Sequence, residues 1–191
     1  MADPAQLDGD GDGLGDACDP CTNGAVVAEP RLTVSRLLPP PGDEKMKLRG
    51  RMIVPTTPAF DPSTQGARLL IEDAVGAAVL DVSVPPGAYD PVSGIGWRTA
   101  KSGWQYRHRT GLQGLTRLTV KQKASSPGLL TISASGKNAV LAIGPAQVPP
   151  RFTLVVEGTL GVHGQCGQAS FAGPVTSSCT FSTSGVTLRC R

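Results

Sequence analysis

Aromatic side chains are scarce in this chain. They make up 4% of its 191 residues, as 2 Trp, 2 Tyr and 4 Phe. A chain of this length can bury one substantial hydrophobic core, and that core must therefore be built mainly from Val, Leu, Ile and Ala. The chain also has no run of about 18 consecutive apolar residues, so the sequence predicts no membrane-spanning helix.

Residue types that commonly perform catalysis are also few. The chain has two histidines, His108 at the end of a predicted strand and His163 in a Gly-rich loop. It has no nucleophile elbow, phosphate-binding loop, dinucleotide fingerprint or zinc-ligand spacing. Its carboxylates beyond residue 24 fall mostly at turns, which does not supply the facing pair that glycoside hydrolysis requires. The sequence therefore predicts that the protein is not an enzyme.

Glycine and proline are abundant, and the apolar residues between them alternate with polar ones. The clearest alternation runs from residue 45 to 54, where the apolar members are Met46, Leu48, Met52 and Val54 and the basic members are Lys45, Lys47, Arg49 and Arg51. A period of two over this length is typical of a half-buried strand. Further strands are predicted at Arg31–Leu38, Ala67–Glu72, Ala77–Val84, Gly96–Thr99, Trp104–His108, Leu115–Lys123, Leu129–Ser135, Phe152–Gly158, Cys166–Phe171, Ser178–Ser182 and Val186–Cys190.

Many short strands separated by turn signals predict an all-β fold. We expect a β-sandwich of jelly-roll or immunoglobulin-like type, with a barrel as the alternative. Near the C-terminus, Ser184-Gly185 is a suitable two-residue hairpin turn. That register places Cys179 opposite Cys190, where a cross-strand disulfide is geometrically possible.

An acidic, Gly-rich run occupies residues 8–19. It places aspartates at the first, third, fifth, ninth and twelfth positions of a 12-residue loop, with Gly13 sixth and Leu14 able to offer its carbonyl from the seventh. Calcium prefers about 6–8 oxygen ligands supplied in this pattern. The predicted calcium ligands are Asp8, Asp10, Asp12, Leu14, Asp16 and Asp19.

The same run, closed by Cys18 and Cys21, resembles a single thrombospondin type 3 repeat over residues 3–21. The resemblance implies the same calcium ligands, held without the flanking helices of an EF-hand. In that family the second cysteine of the motif tends to bond forward, which implies a Cys21–Cys166 disulfide. Cys18 would then take a partner from upstream or from another molecule.

Other disulfide schemes stay open. The alternatives are Cys18–Cys21, and Cys166 paired with either Cys179 or Cys190. Five cysteines, two of them in a disulfide-type motif, indicate an oxidising compartment. We therefore expect a secreted or cell-surface protein. Since no signal peptide follows Met1, we also expect the chain to begin part-way through a longer precursor.

The chain divides by charge into a calcium-binding segment, residues 1–24, and a β-sandwich domain, residues 25–191. The segment holds six acids and no Lys or Arg, so the remainder has nine acids against eighteen bases, a net charge of +9. We expect a calcium-binding structural module that self-assembles into an extracellular filament, matrix or surface layer, as a homo-oligomer or polymer. The alternative is a calcium-dependent carbohydrate-binding or adhesion module.

Two surfaces are candidates for ligands. Trp97, Trp104 and Tyr106 lie within ten residues and form either an aromatic platform for glycans or part of the core. The basic face of residues 45–51, continued by Arg117, Lys121 and Lys123, either meets anionic glycans or nucleic acid, or is a solvated face that protects a sheet edge. No feature predicts specific recognition of nucleic acid.

Overall fold

The computed structural model describes residues 19–172 and 178–191, and strands dominate both ranges. The strands are β1 (Ala25–Val26), β2 (Ala28–Ser35), β3 (Glu44–Ile53), β4 (Ala67–Glu72), β5 (Ala78–Val84), β6 (Ile95–Ala100), β7 (Gly103–Leu112), β8 (Leu115–Gln122), β9 (Leu129–Ala139), β10 (Arg151–Val155), β11 (Cys166–Ser170), β12 (Cys179–Phe181) and β13 (Thr187–Cys190). A short helix, α1 (Pro62–Gln65), and a 3-10 turn, Pro145–Gln147, interrupt them. Among the described residues, no helix has the length and hydrophobicity needed to cross a bilayer.

Two sheets form the sandwich. The larger sheet has the strand order β12-β13-β2-β3-β9-β8-β7-β6, and the smaller has the order β1-β11-β10-β4-β5. The inner faces of both sheets meet in one aliphatic core, with Leu48 and Ile132 from the larger sheet and Leu69 and Leu154 from the smaller. The predicted all-β sandwich is therefore confirmed. Burial of this shared core is the main stabilising contribution to the fold.

Local sequence patterns located the strands well. In β3 the even-numbered residues are buried and the odd-numbered residues are exposed, as the alternation predicted. The hairpin across residues 73–76 joins β4 to β5 in an antiparallel pair. The predicted strand Phe152–Gly158 is too long, because β10 ends at Val155 and the side chain of Glu157 turns to organise the following loop.

The C-terminal hairpin has the register that the turn predicted. β12 and β13 pair with Cys179 opposite Cys190 and Phe181 opposite Leu188. The two cysteines form a disulfide with a Cα–Cα distance of 4.0 Å. A second disulfide joins Cys21 to Cys166, so the three alternative schemes are wrong.

Candidate functional site

The predicted calcium ligands fall mostly outside the described residues. That group comprises Asp8, Asp10, Asp12, Leu14 and Asp16, and Cys18 lies there as well. Asp19 is the predicted ligand that the structure places. Within residues 19–172 and 178–191, no cluster of three or more His, Cys, Asp or Glu side chains is arranged to hold a metal ion. Calcium binding therefore stays a prediction about the preceding residues.

Asp19 sits where the segment meets the sandwich. The residue is 3% exposed, and its Oδ1 accepts a hydrogen bond from the backbone N–H of Cys21 at 2.8 Å. The Nε2 of Gln168, in β11, donates to the same oxygen at 3.5 Å. A buried carboxylate needs hydrogen bonds or a nearby cation to offset its lost hydration. The hydrogen bonds from Cys21 and Gln168 hold one oxygen of the Asp19 carboxylate in place.

The Cys21–Cys166 disulfide fastens the same point to the sandwich. The two Cα atoms are 5.6 Å apart across 145 residues of sequence. Both cysteines are fully buried and pack with Val155 in a small cluster separate from the main core. The backbone approaches this cluster closely, because a Cβ at Gly24 would lie 2.2 Å from the Cys21 Sγ and one at Gly161 would lie 2.4 Å from the Cys166 Sγ. Only glycine fits at either position without a shift of the disulfide.

The loop between β10 and β11 receives the segment. Gly161 donates its backbone N–H to the carbonyl of Pro20 at 2.8 Å. Glu157 shapes this loop, since its Oε1 accepts hydrogen bonds from the backbone N–H groups of His163 at 2.9 Å and Gln165 at 3.1 Å. Its Oε2 lies 2.6 Å from the Nδ1 of His163. The side chain of Glu157 is 3% exposed, so it is enclosed by this loop and does not face water.

The chain stays attached to the sandwich beyond the disulfide. β1 pairs in parallel with β11, with Ala25 opposite Gly167. Val27 then donates its backbone N–H to the carbonyl of Gln168 at 2.8 Å. Gln168 thus contacts the entering chain on both sides of the disulfide, through its side chain and its backbone. Together these contacts hold residues 19–27 against the edge of the smaller sheet.

The aromatic platform is wrong for two of its three residues. Trp97 is 2% exposed and Tyr106 is 1% exposed, and their rings pack together with centroids 5.4 Å apart. Trp104 is half-buried and packs on Phe60, also at 5.4 Å. Burial raises the pKa of the Tyr106 hydroxyl. In a core this poor in aromatics, Trp97 and Tyr106 fill volume that aliphatic side chains leave, so for these two residues the alternative that they form part of the core is confirmed.

The predicted basic face lies in the interior of the larger sheet and not at an edge of it. β3 lies between β2 and β9 in the interior of the larger sheet. The outward side chains of β3 and β8 flank β9 on the same face, where they line a shared groove with a volume of about 600 Å³. Sequence reasoning linked Arg117 and Lys121 to this face, and the register across β9 places them there. Its role as an edge guard is therefore excluded.

Each histidine has a hydrogen-bond contact within the described part of the chain. His108 follows Tyr106 in β7, and its Nδ1 accepts the backbone N–H of Gly111 at 3.0 Å, which fixes the local turn. His163 is 52% exposed and is oriented by Glu157. Both rings thus have structural contacts that account for their positions.

Comparison with known proteins adds no family assignment. A scan against protein-family models, a search of curated proteins and a search of solved structures each found no match. The similarity of residues 3–21 to a thrombospondin type 3 repeat therefore stays a prediction. The described geometry offers two features from which function can be inferred, the junction at Asp19–Cys21 and the charge of the larger sheet.

Proposed function

We propose that this protein is a non-enzymatic, secreted structural module in which a calcium-binding segment, residues 1–24, is fastened to a β-sandwich, residues 25–191. The observation that carries the proposal is the buried Cys21–Cys166 disulfide, two residues after the last predicted calcium ligand. A crosslink at that place transmits the orientation of the segment to the sandwich. A flexible linker would instead let the two parts move independently.

Calcium is the cofactor that the aspartates of the segment would bind. Bound there, it supplies a hard positive centre that gathers aspartate oxygens and orders a Gly-rich chain. The protein's own contribution is the anchor. Asp19 is held by Cys21 and Gln168, and Pro20 is held by Gly161, so the final ligand enters the site from a rigid position.

Self-assembly is the more specific form of this proposal, with calcium bracing a joint between copies. Its support is the charge asymmetry, because an acidic segment and a body of net charge +9 attract one another between molecules. The cysteine count adds to this support. Four of the five cysteines form two disulfides, which leaves Cys18 as the thiol available to pair with another chain.

Calcium titration by calorimetry tests the proposal. We expect saturable binding with a dissociation constant of about 10⁻⁴ M, the range of extracellular modules. Asp12→Asn is expected to weaken binding roughly tenfold or more, whereas Asp43→Asn, on the exposed body, leaves it unchanged. Absence of saturable binding, or equal effects of the two variants, would refute the calcium proposal.

Sedimentation in millimolar calcium and in chelator tests the assembly. Large regular particles that dissolve in chelator would establish that calcium braces a joint between copies. A monomer under both conditions, with a lower thermal midpoint only in chelator, would confine calcium to bracing the joint within one chain.

A second candidate is a carbohydrate-binding or adhesion module, favoured by one observation. The groove on the larger sheet is lined by basic and hydroxyl side chains, which are suited to charged sugars. This surface belongs entirely to the sandwich, so it does not require the calcium segment.

A further inference from the structure

The groove on the outer face of the larger sheet runs over β2, β3, β9 and β8, and is called here the basic groove. Its volume is about 600 Å³. Its basic side chains are Arg31, Lys47, Arg49, Arg51, Arg117 and Lys121. Its floor carries hydroxyl groups from Thr119, Thr131, Ser133 and Ser135. Hydroxyls therefore line the middle of the groove and cations line its walls.

Strand register organises these residues into three rows across the sheet. The rows are Lys47–Ser135–Arg117, Arg49–Ser133–Thr119 and Arg51–Thr131–Lys121. Neighbouring strands are about 4.8 Å apart, so two cations in one row stand roughly 10 Å apart across β9. Along β3 the cations repeat about every 6.7 Å. A linear polymer lying along β9 would thus have a hydroxyl beneath it in every row, cations on both sides in the two outer rows, and a cation on the β3 side in the middle row.

Within the part of the chain that the structure describes, most cations of this groove have no acidic partner. Among these residues, one acid, Glu29, lines the groove and pairs with Arg51 at 2.5 Å. Elsewhere in the described ranges, no carboxylate forms an ion pair with Lys47, Arg49, Arg117 or Lys121. Like charges on adjacent strands destabilise a sheet. The repulsion between these cations thus destabilises the sheet, and an anionic ligand bound in the groove would relieve it.

Two arginines of the smaller sheet form ion pairs with carboxylates of neighbouring strands. There Arg68 pairs with Asp81 at 2.8 Å, and Arg151 pairs with Glu72 at 2.8 Å. The Arg68 hydrogen bond lowers the pKa of the Asp81 carboxyl. Among the described residues, both of these smaller-sheet arginines pair with a carboxylate, whereas Arg49 and Arg117 of the groove form no ion pair.

The lining of the groove discriminates between anionic ligands. Single-stranded nucleic acid is commonly held by bases stacked on aromatic rings, and no aromatic side chain among the described residues lines this groove. Sugar hydroxyls find donors and acceptors in the Ser and Thr floor, whereas sulfate and carboxylate groups match guanidinium and ammonium groups. We propose that the basic groove binds a linear anionic polysaccharide, bearing sulfate or carboxylate groups, along β9.

Fluorescence anisotropy with labelled oligosaccharides tests this inference on the full oxidised chain. The probes are a sulfated glycosaminoglycan dodecasaccharide, a polyuronate dodecasaccharide, a neutral dextran oligomer and a single-stranded dodecanucleotide. Measurements in calcium and in chelator separate the groove from the calcium segment. We expect binding of at least one anionic oligosaccharide under both conditions and none of dextran. The preferred oligosaccharide reports whether sulfate or carboxylate is the recognised group.

Two matched double variants identify the surface. Arg49→Gln with Arg117→Gln removes two groove cations, and Lys101→Gln with Arg109→Gln removes two exposed cations of the β6–β7 hairpin. Each cation beside an anionic surface contributes roughly fivefold to affinity. The groove pair should therefore weaken binding roughly 25-fold and lower the slope of log affinity against log salt by about 2. The hairpin pair should change affinity less than about threefold.

Several results would overturn the inference. Equal losses of affinity in the two double variants would mean that binding depends on the net charge of the protein and not on the groove. Equal or tighter binding of the oligonucleotide would make the groove a nucleic-acid surface. Self-association that the groove variant alone abolishes, without oligosaccharide binding, would identify a second copy as the occupant. Circular dichroism and urea midpoints of both variants establish that each is folded, so loss of affinity is read as loss of contacts.

Discussion

Replacing both cysteines of the Cys21–Cys166 disulfide by alanine should destabilise the protein more than removing its other crosslink. A disulfide stabilises chiefly by lowering the entropy of the unfolded chain, and its effect grows with the length of the loop it closes. This crosslink spans 145 residues, whereas Cys179–Cys190 spans 11. The chain-entropy relation gives roughly 5 kcal/mol for the long loop and roughly 3 kcal/mol for the short one.

Urea unfolding monitored by tryptophan fluorescence measures both double variants, Cys21→Ala with Cys166→Ala and Cys179→Ala with Cys190→Ala. The two loops do not overlap in sequence, so the losses are independent and the second variant is a matched control. Paired replacement also avoids leaving a lone thiol to exchange with Cys18. Each free energy is compared in calcium and in chelator. We expect the calcium-dependent increment to shrink only in the Cys21/Cys166 variant.

Equal losses in the two variants would refute the reasoning, as would a smaller loss for the long loop. Either result would mean that residues 19–27 detach from the sandwich with only a small change in free energy. If calcium raises the free energy of unfolding equally with and without the Cys21–Cys166 disulfide, calcium binding is independent of this disulfide. The proposed coupling between the segment and the sandwich would then be wrong.

Three further predictions concern single side chains. Glu157→Gln should lower the free energy of unfolding in urea by roughly 1–2 kcal/mol, because it removes a buried carboxylate that accepts two backbone N–H groups. The control Glu29→Gln, in an exposed ion pair, should lower it by less than about 1 kcal/mol. Tyr106→Phe should be neutral or stabilising at pH 7, since the Tyr106 hydroxyl has no hydrogen-bond partner in the described part of the chain. Because burial raises the Tyr106 pKa, the folded state disfavours the ionised hydroxyl, so the wild type keeps its full stability below about pH 10 and loses stability as pH rises further. Alkaline unfolding midpoints should therefore fall faster in the wild type than in Tyr106→Phe. Because Arg68 lowers the Asp81 pKa, that pair stabilises above about pH 4 and the contribution is lost as pH falls further; Asp81→Asn should therefore cost about 0.5 kcal/mol at pH 7 and nothing near pH 2. A larger loss for Glu29→Gln, a clear destabilisation by Tyr106→Phe, or a pH-independent effect of Asp81→Asn would each contradict the corresponding contact.

Local features of the sequence predicted much of the fold. The alternation in β3 identified both its buried and its basic face, since side chains of a strand alternate strictly between the two faces. A two-residue turn at Ser184-Gly185 predicted the register that brings Cys179 opposite Cys190, and the structure has that register, with a turn in which Gly185 donates its backbone N–H to the Ser182 carbonyl. In both cases the determining contacts lie within about a dozen residues of sequence.

The misplaced aromatic platform had a signal that pointed the other way. Trp104 and Tyr106 alternate with Gln105 and Arg107 along β7, so the two rings share the face opposite the polar residues. In a chain with few aromatics, that shared face is the core. Proximity in sequence left the platform and the core as alternatives, and the period of two favours the core.

Nonlocal pairing decided the remainder. The three rows of the basic groove combine β3, β8 and β9, and sequence does not give the register between strands some 80 residues apart. That register follows from how both sheets bury their aliphatic faces. Glu157 likewise carried no periodic signal, because its role depends on the turn of the loop that contains His163 and Gln165.

Residue-resolved hydrogen exchange in calcium and in chelator tests the central claim most directly. The amides of Cys21, Gly24 and Gly161 form hydrogen bonds at the junction. If calcium orders the segment and the disulfide couples it to the sandwich, these amides and those of residues 8–19 should exchange more slowly in calcium, while the β8–β9 ladder is unchanged. Exchange that calcium leaves unaltered at the junction and throughout the segment would contradict the account.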